Sequence, residues 1–548
     1  MFHNEISSSR LPILIDRKES RYSLSILSTM DAKQTESSHE EVIDHNQALH
    51  TDQKWWNWRV LMNLTIVGFA LGLYGYDNAF TSPLVSLPLF VNKYQGPGFD
   101  GLPVFTARNL DLVITVPIVG AALGAFSAIP LQQYLGRKGG FLVAYATMCI
   151  PGSILQLFAP NLGALVVGRF WNYFGISVLT NIAPIYLSEL VPASVRARAV
   201  GFAIAGSGAV SVIATVVVWG SAKILDRRQY IIPLAIQAGL PVLLFVLSFL
   251  LTESPIWLLS QGRTDAAKAS LTALRGGNSF LAEAELSIAT VALRSTSEKK
   301  SAFKFWEILN LANLERTLSS AALLCLSQVG GQILVGTYST VILVQSGVSD
   351  PFKITIIIFL MQFVGTLLGP FLLDRFGRRT VALPGYVLLF LLDLAAGIIA
   401  CVGLKTRPEQ LALAALCIIF SFVNSISFQS IIYVLPTEIP TAHLREPSMT
   451  WCLFWSYVTA IITTFAIPQL TSADAANLGA KAFLVFGGFM LITIVWSYFY
   501  LPETAKRTLA EIDELYERKV PKRHWANYKI DMTSSEAKSA SQNAGVTD

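Results

Sequence analysis

The sequence predicts an all-α membrane protein with twelve transmembrane helices in two pseudo-symmetric six-helix bundles, joined by a cytoplasmic helical linker. Three observations predict it. The 548 residues are 53% hydrophobic and only 14% charged, whereas a soluble chain carries about a quarter charged residues. The charges gather in short patches between apolar runs of roughly 20 residues or more, the length that crosses a hydrocarbon core of about 30 Å as helix. The charged signatures also repeat. Gly136-Arg137-Lys138 recurs as Gly377-Arg378-Arg379, Glu189 with Arg196 recurs as Glu438 with Arg445, and Glu253 recurs as Glu503, at separations of 241 to 250 residues. A membrane unit is therefore duplicated. Helices rather than a barrel follow because backbone groups must pair internally in lipid and strand alternation is absent.

Taken in order, residues 1–57 are rich in Ser, Glu and Asp and read as a disordered cytosolic tail without a signal peptide. Apolar spans are expected near 59–79, 109–132, 140–159, 162–187, 198–221 and 230–251, forming an N-terminal bundle over 58–251. Residues 252–315 are polar and carry amphipathic patterns such as Asp265–Arg275, so they are read as the helical linker. A second six spans, near 317–345, 353–373, 380–402, 410–435, 448–469 and 481–501, form the C-terminal bundle over 316–501, followed by a cytosolic tail over 502–548. The basic turns, the linker and Lys522-Arg523 all fall on one side, which places both termini in the cytoplasm. Segment 80–108, with Gly96-Pro97-Gly98, is expected as an external loop. The net charge of +5 is accounted for by basic loops, not by nucleic-acid binding.

Two charges sit inside the apolar spans of the first half. Asp77 lies in span 1 and Arg169 in span 4; each alone costs about 2.5–3.5 kcal/mol in a membrane helix. A mutual pair facing the bundle interior is the economical arrangement. It also makes a proton switch, because protonation of Asp77 would release Arg169. The alternative is a static pair that only orients the two spans. Gln328 and Gln332, four apart, share one face of span 7; they suit a hydroxylated ligand or, alternatively, interhelical hydrogen bonds. Gly330, Gly331 and Gly336 would let span 7 bend. Arg137, Glu189, Arg196, Glu253, Asp374, Arg378, Glu438, Arg445 and Glu503 stand at span ends on the basic side and are read as a charge latch that closes the cytoplasmic face. Asp393 is an acid deep in span 9 with no evident partner. The five cysteines lie in apolar runs without metal-ligand spacing, and no nucleophile or phosphate-cradling motif occurs. No metal, cofactor or enzymatic activity is expected.

These residues resemble the sugar porter family of the major facilitator superfamily over about residues 55–525. The resemblance rests on Gly75-Tyr76-Asp77, Gly136-Arg137-Lys138, Gly168-Arg169, Pro184-Ile-Tyr-Leu-Ser-Glu189, Glu253-Ser-Pro-Ile-Trp257, Asp374-Arg-Phe-Gly-Arg-Arg379 and Leu501-Pro-Glu503-Thr. A narrower likeness, to the fungal maltose-type (α-glucoside) permeases, rests on Tyr338-Ser-Thr, Thr437–Arg445 and Glu511–Pro521. It implies a monomeric carrier in the plasma membrane, taking up a sugar with a proton by alternating access. By the same resemblance Gln328, Gln332, Gln362, Tyr338, Tyr433, Ser456 and Tyr457 are expected to contact the sugar, and Asp77 with Arg169 to couple the proton. The chain departs from the family pattern at Gln133-Tyr134, Ile256 and Ala505-Lys506. Gly208 and Ile333 also stand where sugar porters often carry amides. The alternatives are a carrier or exporter of another hydroxylated metabolite and a non-transporting nutrient sensor, for which the short C-terminal tail is unsuited.

Overall fold

The computed structural model describes residues 57–95, 104–192, 195–300, 305–432, 434–441, 444–505, 507 and 509–528. The expectations for the N-terminal tail before Asn57, for Gly96-Pro97-Gly98 and for Tyr433 lie outside the described residues, as do the side chains of Arg196 and Arg445.

Eleven helical stretches among the described residues are long and apolar enough to cross a membrane. The longest, Ala107–Leu157, has 51 residues and turns at Gly136, whose φ of 80° and ψ of −173° are not helical. It therefore supplies two crossings, and the twelve spans divide six and six. The first half comprises α1 (Trp58–Val85), α2 (Pro88–Tyr94), α3 (Ala107–Ala144), α4 (Ile150–Leu157), α5 (Leu162–Leu190), α6 (Arg196–Ala222) and α7 (Arg228–Ser248). A π-helical turn over Tyr145–Cys149 joins α3 to α4. Three helices follow: α8 (Pro255–Ser260), α9 (Thr264–Leu274) and α10 (Ser279–Lys300). The second half comprises α11 (Leu311–Val329), α12 (Gln332–Gln345), α13 (Pro351–Phe376), α14 (Arg378–Val402), α15 (Arg407–Asn424), α16 (Leu435–Glu438), α17 (Arg445–Thr471) and α18 (Phe483–Tyr500).

Two expectations need correction. Segment 80–108 is not all loop: α1 runs on to Val85, and α2 buries Phe90 and Val91 completely. Phe90 packs edge-on against Phe105 and Tyr230, so apolar residues there seal one end of the bundle. Span 7 is two helices, not one. It breaks at Gly330-Gly331, and Gly331 takes a left-handed φ of 84°, a conformation natural only to glycine.

Prolines inside the spans free carbonyls that then bind neighbouring helices. Pro117 has no N–H for the carbonyl of Val113, four residues earlier. Arg169 of α5 fills that vacancy, with Nε donating at 2.8 Å. Pro468 likewise frees the carbonyl of Thr464, which accepts from the Tyr338 hydroxyl at 3.0 Å. Backbone groups in lipid must be satisfied by protein, so these two prolines each fix a side chain on another helix.

The halves meet through α1 with α12, α3 with α17, and α6 with α13. A helix beyond α18, α19 (Leu509–Glu517), folds back beneath α11 at the end carrying the Gly-Arg turns, the basic end. Asp513 pairs with Arg316, Lys522 donates to Glu315 at 2.6 Å, and Trp525 is fully buried.

Candidate functional site

Asp77 is buried within α1, yet its carboxylate makes no ion pair among the described residues. Asn172 Nδ2 of α5 donates to one oxygen at 2.7 Å, and Gln237 Nε2 of α7 donates to the other at 2.8 Å. Gln237 also donates to Gln156 Oε1 at 3.3 Å. The direct Asp77–Arg169 pair expected from the sequence is thus not formed. The reason is Thr81, one turn along α1. Its hydroxyl donates to the Asp77 carbonyl at 2.6 Å and accepts from Arg169 Nη2 at 2.8 Å. The guanidinium is held at the level of Thr81 by that bond and by the carbonyl left free at Pro117. It lies over the rings of Phe80 and Tyr173, and its Nη1 has no partner among the described residues. A buried acid held by two amides tolerates either protonation state. An amide presents its NH₂ to a carboxylate and, turned over, its carbonyl to an acid proton.

Asn172 and Gln237 escaped the sequence reading. Asn172 stands three residues beyond Arg169, on the same helix face, and Gln237 is the lone amide in an otherwise apolar span. Those signals were present, but which helix they faced was not.

Of the residues expected to contact substrate, Gln328 and Ser456 are brought together, with Nε2 donating to Oγ at 3.3 Å. Gln332 opens α12 and leaves Oε1 buried without a partner among the described residues. Tyr457 of α17 lies beside Ser177 of α5, across the two halves. Gln362 is half-buried on α13. Beside it, the Phe363 ring covers Gly208, where an added Cβ would stand 3.0 Å from the ring. An aromatic of α13 therefore fills the space beside Gly208 of α6, the span-5 position where the resemblance leads one to expect an amide. Tyr338 is fully buried and its hydroxyl is engaged by Thr464, so it is turned away from open space in this state.

The charged motifs build the same structure twice. Arg137 grips Glu189 through two bonds, of 2.9 and 2.8 Å, and Ser254 Oγ adds a third at 2.6 Å. Arg378 bonds Glu438 at 3.1 Å, and Thr504 Oγ1 adds a bond of 2.5 Å. Asp374 stands 3.7 Å from Arg378 and is largely exposed. Glu253 accepts the backbone N–H groups of Arg137 and Lys138; Glu503 accepts those of Arg378 and Arg379. Among the described residues each of these bonds stays within its own half; the side chains of Arg196 and Arg445 lie outside the described residues.

The halves are tied at the opposite end. Gln469 Nε2 donates to Asp111 at 2.7 Å, and the Asp474 carboxylate accepts the Ala107 N–H at 3.0 and 3.1 Å. Asp474 thereby caps α3 from the other half, where the positive end of the helix dipole favours an anion. Asp474→Ala is expected to loosen this closure. In a Ser456→Cys background, a membrane-impermeant maleimide applied from that side should react faster after the change; an unaltered rate would remove Asp474 from the closure.

Two facing six-helix halves, tied at one end around buried polar groups, define a carrier that exposes its centre to each side in turn. The chain matches the family described as "Sugar (and other) transporter" over residues 63–516, and it belongs to that family of transporters, which are not enzymes. It is 27% identical over 466 residues to a probable glucose transporter, rco-3, of Neurospora crassa, covering 81% of this chain and 77% of that protein. It is 25% identical over 518 residues to the general alpha-glucoside permease of Saccharomyces cerevisiae, covering 92% and 82%. It is also 26% identical to the major facilitator-type transporter ecdD of Aspergillus rugulosus, covering 84% and 87%. The fold superposes on the xylose transporter XylE from E. coli in a partially occluded inward-open conformation, with a TM-score of 0.67 at 16% identity, covering 82% of this chain and all of that one.

Proposed function

We propose that this multi-pass membrane protein takes up a sugar with a proton, from outside the plasma membrane to the cytoplasm. The observation that carries the reading is the Asp77 carboxylate: buried, held only by amides, one helical turn from an arginine with a free N–H. Such a group can take a proton without breaking a salt bridge, and its change of charge alters the field at Arg169. With Arg169 tied to Thr81 of α1 and Val113 of α3, that change bears on three helices of one half. The basic end is the cytoplasmic one, with both termini inside. The tie between Asp111 and Gln469 then closes the outside.

Gln328, Gln332, Gln362, Ser456 and Tyr457 supply the donors and acceptors for hydroxyls, and the named relatives point to glucose or an α-glucoside. Phe363 over Gly208 favours a second reading, a hydroxylated metabolite with a larger apolar face. A sensing role is less supported. The test is uptake of labelled sugars by vesicles holding the purified protein, with and without an imposed pH gradient. Sugar-dependent alkalinisation outside is the expected result. Flux indifferent to pH would sink symport, and no flux of any sugar would favour the metabolite.

A further inference from the structure

We infer that Asp393 is a second proton-carrying residue, one whose ionisation fixes the break in the seventh span. The inference rests on reading the chain as a proton-coupled carrier. Asp393 lies in the middle of α14 and is fully buried, and neither carboxyl oxygen has a hydrogen-bond partner among the described residues. It faces Gly331, at the break in span 7. A Cβ built on Gly331 would stand 3.2 and 3.3 Å from the two oxygens and 3.1 Å from the Phe420 ring. Gly331 is the residue before α12, with a left-handed φ and no side-chain cap.

The first N–H groups of a helix have no partner within it. At the start of α12 they follow Gly331, the residue that lies against both carboxyl oxygens and the Phe420 ring. Glycine is required there twice, for its φ and for the close approach of the acid. An unpaired buried carboxylate is strongly disfavoured, and a neutral acid is not. The arrangement seen, a fully buried acid with no bond made at either oxygen, is that of the protonated state. Loss of the proton creates an anion next to the positive end of a half-helix, and docking on those N–H groups is its nearest source of stabilisation. The docked anion caps α12 and holds its angle to α11. Protonation frees that joint, and α12 carries Gln332 and Tyr338.

The helices α13, α15 and α18 and the short turns Ser425–Gln429 and Gly479–Ala482, the latter carrying Lys481, pack against α14. The titratable side chain among the described residues that acts on Asp393 from them is Cys417 of α15, a neutral thiol; no charged one does. The titration therefore belongs to this acid and the half-helix alone.

The test uses exchange of labelled sugar across vesicle membranes at equal pH on both sides. The comparison is made in an Asp77→Asn background, which exchanges without the coupling proton; there exchange is expected to slow about fivefold from acid to alkaline pH, the change produced by gaining one helix cap. Asp393→Asn added to that background, neutral at every pH, should lose that slowing and hold the acid rate. Superimposable pH profiles would overturn the inference. A measurement on the wild type alone guards against a misfolded variant. Hydrogen exchange at the amides of Gln332, Ile333 and Leu334, corrected for intrinsic rates, should show rising protection as pH increases, and constant protection would overturn the inference too. This second readout needs no transport, so failure of the sugar reading leaves it intact.

Discussion

Asp77→Asn is expected to abolish accumulation of substrate while leaving exchange in place. The magnitude follows from the driving force. One charge crossing a potential of 100 mV gains about 2.3 kcal/mol, which supports a concentration ratio of roughly fifty at 1.4 kcal/mol per tenfold. Vesicles with the wild-type protein should approach that ratio, whereas the variant should stop at equality. The fold should survive. Asn is the same shape, and its amide can both accept from Asn172 or Gln237 and donate once one of them turns over. Exchange needs only the rocking of loaded halves, so it should persist. Accumulation by the variant to the wild-type ratio would exclude Asp77 from coupling and leave Asn172, Gln237 and Arg169 as a static polar contact.

The sequence made the duplication legible because the repeated residues are charged and the rest of the spans are not. Gly136 and Gly377 both adopt left-handed φ, at 80° and 96°. Glu253 and Glu503 close on them alike. Even Ser254 and Thr504, which stand in the quoted motifs without an assigned role, repeat as the hydroxyl after each glutamate. Helix rotation was not legible. Pro117 announces a free carbonyl at Val113, but nothing in the order of residues says that Arg169 will take it in place of Asp77. Contacts across the halves were hidden for the same reason. Asp111 and Gln469 are 358 residues apart, and each reads alone as an ordinary polar residue near a span end. The break in span 7 was half visible: its glycines suggested bending, but the acid that faces it lies two spans away in sequence.

Glu503→Ala is expected to be the most damaging single change at the basic end. The side chain is nearly buried. Its two oxygens accept three backbone N–H groups, from Arg378, Arg379 and Ala505, at 2.9, 2.9 and 3.0 Å. Two of those donors open α14, so the glutamate caps that helix from beyond α18. Losing a cap costs about 1 kcal/mol, and one of these part-buried donors left unpaired, the others turning to water, adds about 1–3 kcal/mol. A loss of roughly 2–4 kcal/mol follows, seen as a lower unfolding temperature in detergent and much reduced uptake. Glu503→Gln keeps one acceptor oxygen and should fall between. Gly377→Ala reaches the same contact from the other side, because its Cβ would stand 2.7 Å from Glu503 Oε2 at a φ of 96°. Residues in one network do not add. The double variant should therefore lose clearly less than the two single losses combined, since displacing a side chain that is already gone costs nothing more. Additive losses would show that Gly377 matters only for its backbone angle and that Glu503 does not hold the turn.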